Sequence, residues 1–255
     1  MALLEIRGVG KRFGGVAALD ALDLDVEAAA VLGVIGPNGA GKTTLFNLIT
    51  GMQRPSTGVI RFRGCPLTGL KPHQITALGI ARTFQNIRLF PEMTVLENVM
   101  VGQHVRTRQG VLGSVLRTKR QRDEERRIRA AGLQALRTVE MVDLADARAG
   151  SLPYGLQRRV EIARALATEP QLLLFDEPAA GMNETESADL RRQILAIAAQ
   201  GPAIILIEHD MDVVMNACQR ITVLNFGRKI AEGEPQQIQE DSAVIEAYLG
   251  KRVET

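Results

Sequence analysis

The stretch GPNGAGKTT at residues 36–44 constrains this chain more than any other. The apolar run VLGVI leads into it, and the helix-forming KTTLFNLIT follows. Gly36, Gly41, Lys42 and Thr43 satisfy the spacing G-x-x-x-x-G-K-[ST] of a phosphate-binding loop in its strand–loop–helix context. Glycines there let backbone N–H groups curl around phosphate oxygens without Cβ clashes. Pro37, Asn38, Gly39, Ala40 and Thr44 complete the cradle. Lys42 supplies a point charge to the terminal phosphates, and the Thr43 hydroxyl is placed for Mg²⁺. Such a unit belongs to an α/β core with parallel strands.

The remaining pattern builds out from that loop. LLEIRGV and ALDLDVE alternate as strands, and GVIRFRG at 58–64 reads as another. Gly51 stops the helix after the loop. Pro72 opens a short helix running through Leu78. Thr94 and Glu97 form a capping box for a helix over VLENVMVG. Residues 106–148 are charged and helical, without a strand signal. LLLFDE and AIILIEH (203–209) then read as buried parallel strands. Between them Asn183 and Glu186 cap a helix whose Leu190, Ile194 and Ile197 share one face. ITVLNFGRKIAEG predicts a hairpin turning near Gly227, and DSAVIEAYLG a last short helix.

Two acids end the strand LLLF. Asp176 suits the carboxylate that a phosphate-loop enzyme needs for Mg²⁺ or its waters. Glu177, one residue on, is placed to orient and deprotonate an attacking water. His209 ends the strand IILIE, where it can touch a terminal phosphate. No NKxD is present to read guanine, so GTP is disfavoured. Phe13, in KRFGGVAAL, offers a ring for adenine. A second anion site is suggested by SLPYGLQRRVEIARA: Leu152 to Gly155 form a turn that opens a helix, and a helix start presents free N–H groups.

Composition excludes several classes. With 45% hydrophobic and 24% charged residues among 255, the chain can bury a sizeable core. A net charge of +2, no Trp and two Tyr argue against a nucleic-acid surface. The basic run RTKRQRDEERRIR (117–129) interleaves acids and reads as a solvated helix face, with Glu125 spaced to pair with Arg129; attraction to anionic lipid is the other reading. Cys65 and Cys218 lack metal spacing and read as plain thiols of a reducing compartment. The start, MALLEIRGVGKRFGG, lacks a signal-peptide core, and no apolar run approaches the roughly 18 residues of a membrane span.

In order, GPNGAGKTT, TFQN, LPYGLQRRVEIARAL, LLLFDEP and IEH resemble the ATP-binding cassette (ABC) ATPases over nearly the whole chain. The resemblance implies a P-loop core, an N-terminal antiparallel β subdomain and an α-helical subdomain. One cassette then spans 1–255, with 1–85 and 166–255 as β subdomain and core and about 86–165 as the helical part. It implies ATP and Mg²⁺ as ligands and a head-to-tail pair of cassettes. In that pair the signature of one chain, Leu152, Pro153, Tyr154, Gly155, Leu156 and Gln157, meets the ATP held by the other's P-loop. By the same resemblance Phe13 stacks on adenine and Gln85 links Mg²⁺ and water to the membrane subunit. Asp176 becomes the metal acid, Glu177 the catalytic base, His209 the switch histidine and Asn183 the D-loop residue.

RTFQNIRLFPEMTVLENVMVGQH, DEPAAGMN, IEHDMDVVM and the AYLG ending resemble, more narrowly, the ATPase subunits of branched-chain amino acid importers. The expected partners are integral-membrane permeases, a second cassette (identical or paralogous) and, indirectly, an external solute-binding protein, at the cytoplasmic face of the membrane; nucleic acid is not among them. The departures are Pro153, where the family has a serine, and Leu156, where it has glutamine; Pro153 offers neither hydroxyl nor N–H. The alternatives are a cassette for another small solute such as urea or an amide, a soluble non-transport ABC ATPase, and a non-enzymatic nucleotide-binding regulator, which the intact Glu177 and His209 disfavour.

Overall fold

A hairpin of two long strands begins the chain in a computed structural model that describes residues 2–106 and 119–249. β1 (Leu4–Phe13) and β2 (Val16–Val26) are antiparallel and joined by Gly14 and Gly15. Both strands outrun their sequence signals, because the GKRF and VAAL ends pair with each other at the hairpin tip, Lys11 with Leu19, Arg12 with Ala17 and Phe13 with Val16. β4 (Thr57–Phe62) pairs on the other side of β1, and β5 (Cys65–Pro66) closes the sheet in the order β2-β1-β4-β5.

The second sheet carries the core. Its order is β10 (Arg228–Gly233), β9 (Arg220–Asn225), β3 (Val31–Ile35), β8 (Ala203–Ile207), β7 (Leu172–Asp176), β6 (Ile80–Arg82). All neighbours are parallel except β10, which returns from β9 through Phe226 and Gly227 as the hairpin signal predicts. β3, β7 and β8 are buried at every residue, which is why they read as continuous apolar runs rather than alternations. Successive side chains still point to opposite faces. Leu32, Val34, Leu172, Leu174, Ile205 and Ile207 join the layer shared with the first sheet and α1 (Lys42–Ile49). Val31, Ile35, Leu173, Phe175, Ile204 and Leu206 join the layer covered by helices.

α2 (Pro72–Leu78) starts and stops where its proline and Gly79 place it. α3 (Val95–Val101) has the predicted capping box: Thr94 Oγ1 accepts from Glu97 N–H, and Glu97 Oε2 accepts from Thr94 N–H at 2.8 Å. α4 (Lys119–Thr138) fills only part of the stretch expected to be helical, and two 3-10 turns at Val142–Leu144 and Ala149–Ser151 follow it. Residues 107–118, including the first part of the basic run, lie outside the described residues. On α4 Arg126 pairs with Asp123 at 2.5 Å, three residues apart, in place of the expected Glu125 with Arg129. α5 (Tyr154–Leu166) is fronted by Pro153, and α6 (Glu184–Ala198) buries Leu190, Ile194 and Ile197 as its spacing predicts. α7 (Met211–Ala217), α8 (Pro235–Glu240) and α9 (Ser242–Leu249) complete the described chain; only the last was signalled in the sequence. Cys65 is exposed and Cys218 buried, both as free thiols, and burial pushes the Cys218 thiol up to about 12. Among the described residues no helix is long and apolar enough to cross a membrane.

Candidate active site

The phosphate loop leaves the end of β3 and enters α1. Gly36 has φ +151° and Gly41 φ +107°, and a Cβ at Gly36 would collide with the Leu224 carbonyl oxygen of β9. At Gly41 a Cβ would lie within 2.5 Å of the Ala18 carbonyl oxygen. Glycine is therefore required at both ends of the loop by backbone conformation and by space. The loop is wedged between two hairpins, with Gly227 N–H donating to Ala40 O at 3.0 Å and Asp20 N–H to Gly227 O at 2.9 Å. Asn38 and Gly39 are exposed at its crest, and Thr43 and Thr44 sit in the first turn of α1.

Lys42 is buried and folds back over the loop, donating to Gly36 O at 2.6 Å and Pro37 O at 3.1 Å. Burial lowers its pKa, and the negative charges of Glu177 and Asp176 act against that shift. An ammonium held mostly by neutral carbonyls in a half-desolvated loop favours an incoming anion.

β7 ends at Asp176, so Glu177 lies just past the strand, at φ +49°. That left-handed turn is uncommon for a residue with a side chain. It aims the carboxylate between two partners. Gln85 Nε2 donates to Glu177 Oε2 at 2.6 Å, and His209 Nε2 donates to Glu177 Oε1 at 2.7 Å. His209 does not end β8 as expected. The strand stops at Ile207, and His209 sits two residues further in a loop pinned by Glu208. The buried Glu208 carboxylate accepts from Ala179 N–H at 2.5 Å, His209 N–H at 2.8 Å and Asp210 N–H at 3.3 Å. Burial pushes the Glu208 carboxyl above the ordinary carboxylate range, and those three donors pull it back. Glu208 thus ties the segment after Glu177 to the segment bearing His209.

Asp176 has a partner that sequence reasoning missed. Arg82 Nη2 donates to Asp176 Oδ2 at 2.6 Å, with both side chains 6% exposed. Arg82 also donates to Asn47 Oδ1 at 2.8 Å and lies over the rings of Phe46 and Phe84. The signal was present, since Arg82 begins the RTFQN string, but its partner lies on another strand.

Phe13 stands at the tip of the first hairpin, 47% exposed, with Lys11 Nζ 5.0 Å from the ring centroid. The signature residues lie at the start of α5. Leu156 and Gln157 N–H groups both donate to Pro153 O at 3.0 Å, and Gln157 Nε2 donates to Leu152 O at 2.8 Å. Pro153 is the N-cap and supplies no side-chain cap. None of these bonds reaches Gly36–Thr44. Tyr154 is exposed, and its ring approaches Gly181, just before the D-loop residue. Asn183 caps α6, accepting from Glu186 N–H at 3.0 Å. Gln85, Glu177 and His209 are thus brought into contact, Lys42 feels the charge of the two acids, and the hydrogen bonds of the signature turn stay within its own segment.

The ABC transporter family profile matches residues 19–180. The chain belongs to that family. A second profile, of branched-chain amino acid ATP-binding cassette transporters, matches residues 228–254 of the cassette. The cassette is 44% identical over 250 residues to the high-affinity branched-chain amino acid transport ATP-binding protein BraF of Pseudomonas aeruginosa, covering 98% of each chain. It is 42% identical to LivG of Escherichia coli K12, a protein of the same description, again over 98% of both. Among solved structures it is similar to the ADP conformation of MJ1267, an ATP-binding cassette of an ABC transporter, with 34% identity and a TM-score of 0.85 over 98% of this chain and all of that one. A nucleotide-free cassette from an ABC transporter matches at 33% identity and a TM-score of 0.84. The fold is that of an ABC ATPase, and the cassette binds and hydrolyses ATP as a transporter subunit.

Proposed function

We propose that this cassette drives an importer of branched-chain amino acids by hydrolysing ATP between two paired cassettes. The observation that carries the catalytic reading is the Glu177 carboxylate held between Gln85 and His209. Each of its oxygens keeps a lone pair for water, which suits a general base. Lys42 and the loop amides of residues 38–44 bind the β and γ phosphates, while His209 lies where a γ-phosphate is sensed. Phe13, exposed at its hairpin tip, stacks on adenine.

The donor set suits Mg²⁺, which prefers hard oxygen ligands: the Thr43 hydroxyl, the Gln85 amide oxygen and the Asp176 carboxylate. Arg82 engages Asp176 through Oδ2, leaving Oδ1 available. When bound, the cation neutralises charge on the phosphates. The chain's own residues orient water at Glu177 and hold phosphate oxygens at Lys42.

Leu152, Pro153, Tyr154, Gly155, Leu156 and Gln157 face the ATP of a second cassette, with Asn183 nearby at the seam. Support comes from their hydrogen bonds, none of which reaches this chain's own loop. Permeases dock on the helical part, where Phe90 and Met93 are exposed. An external solute-binding protein delivers cargo to those permeases, and the cassette works at the cytoplasmic face of the membrane. The cargo reading is supported by the profile over residues 228–254 and by relatives named for branched-chain amino acid transport. The test is co-purification with the native permeases, then transport over a panel including leucine, isoleucine, valine, urea and simple amides. ATPase stimulated by permeases together with uptake of Leu, Ile or Val is expected. Uptake of urea alone would overturn the cargo, and stimulation by nucleic acid instead of permeases would overturn the transport role.

A further inference from the structure

Arg158 is fully buried in α5, four residues after the signature tyrosine, and the catalytic scheme above gives it no task. Its guanidinium reaches the loop that carries Gln85. Nη1 donates to Phe84 O at 2.6 Å, and Nη2 donates to Gln85 O at 2.7 Å. Nη1 also pairs with Glu161 Oε2 at 2.7 Å, and Glu161 Oε1 accepts from Phe84 N–H at 3.3 Å. The same loop is thus gripped through two carbonyls and one amide by an ion pair one turn long. On its other side Nη2 donates to the Tyr154 hydroxyl at 3.1 Å, with the guanidinium 5.8 Å from the ring centroid. From Gln85 the path continues to Glu177 at 2.6 Å.

A buried ion pair is costly to desolvate and is often no more stabilising than apolar side chains of equal volume. Burial raises the Glu161 carboxyl pKa even against Arg158 beside it. Stability therefore does not explain the pair, whereas geometry does. A planar fork holds two successive carbonyls and a carboxylate in fixed directions, whereas an ammonium is a single point with mobile donors.

We propose that Arg158 is a positioning residue that fixes Gln85 against Glu177 and ties that contact to the signature turn through Tyr154. The signature touches the other chain's ATP, so its seating there sets the catalytic carboxylate of its own chain. The inference rests on the paired-cassette reading and adds to it a route by which one nucleotide site informs the other.

The test uses the full-length chain and steady-state ATPase, with nucleotide affinity measured separately by a fluorescent ATP analogue. Arg158→Lys keeps the charge for Glu161 but not the fork. It should lower kcat by about 10-fold with KM and nucleotide affinity within about twofold, the pattern of lost transition-state positioning. In a Gln85→Ala background, where the positioned side chain is gone, Arg158→Lys should cause no further loss beyond about twofold. Unchanged kcat in Arg158→Lys, losses that multiply in the double variant, or parallel losses of kcat and affinity would overturn the proposal. Should Arg158→Lys fail to fold, Tyr154→Phe removes one hydroxyl from an exposed residue and leaves the buried pair whole. It should lower kcat about threefold, with the effect gone in the Gln85→Ala background; wild-type turnover in Tyr154→Phe would then overturn it. A wild-type chain without ATPase activity would instead contradict the function proposed above, so the two failures are distinct.

Discussion

Both oxygens of Glu177 accept a hydrogen bond, one from an amide in the loop after β6 and one from an imidazole in the loop after β8. As the proposed general base, Glu177 would control turnover rather than binding. Glu177→Gln is expected to keep ATP affinity and to lower turnover by about 10²-fold or more, the scale of losing a general base; equilibrium nucleotide binding beside steady-state ATPase measures the split. At Pro153 the start of α5 lacks a side-chain acceptor for its first amides. Pro153→Ser supplies one and is expected to stabilise the fold by about 1 kcal/mol. It should also strengthen ATP-dependent pairing, measured as a lower dimer dissociation constant in sedimentation equilibrium. The acids, lysine and glycines of the site were legible in the sequence because each follows a strand at fixed spacing. Arg82, Glu208 and Arg158 were not, because their tasks depend on partners between strands and loops far apart in sequence: Arg82 meets Asp176 94 residues away, and Arg158 meets Gln85 73 residues away. An arginine in a charged helix carries no local mark of being buried.

Elements with local instructions formed where those instructions stood. α3 begins at its Thr94–Glu97 box and α6 at its Asn183–Glu186 box. β3, β7 and β8 match their apolar runs. What failed was the reading of elements defined by neighbours. β6 is three residues long and exists because Ile80, Ala81 and Arg82 pair with β7. β8 stops before Glu208, because that carboxylate turns to cap backbone amides instead of continuing the ladder. For α3, Thr94→Ala should cost about 1 kcal/mol in thermal or denaturant unfolding. Glu97 adds a pH signature. Its carboxyl is held below the usual carboxylate range by the Thr94 backbone N–H and hydroxyl. A depressed pKa in the fold means stability that is present above the ordinary value and lost as pH falls through the lowered one. The melting difference between wild type and Glu97→Ala should therefore be open at neutral pH and close as pH falls below the ordinary carboxylate range.

At the scale of the molecule, the proposed pairing has each ATP draw on the phosphate loop of one chain and the signature turn of another. Two defective variants should rescue each other in a like-paired assembly. A chain with Lys42→Ala has a dead loop and a sound signature; a chain with Gly155→Asp has the reverse. Mixed, they should show ATPase activity that neither shows alone, read as a maximum in a titration of one against the other. Activity flat across that titration would contradict shared sites. The proposed pairing also predicts turnover per chain that rises with protein concentration until pairing saturates, read from ATPase rates over a dilution series. Glu177 keeps its left-handed backbone angle within this scheme, at the bend where β7 gives way to the loop. Glycine, which tolerates such a bend with least discomfort, has no carboxylate to offer. A lineage selected for a sturdier scaffold and a lineage selected for a quicker motor would thus be pulled apart at this position.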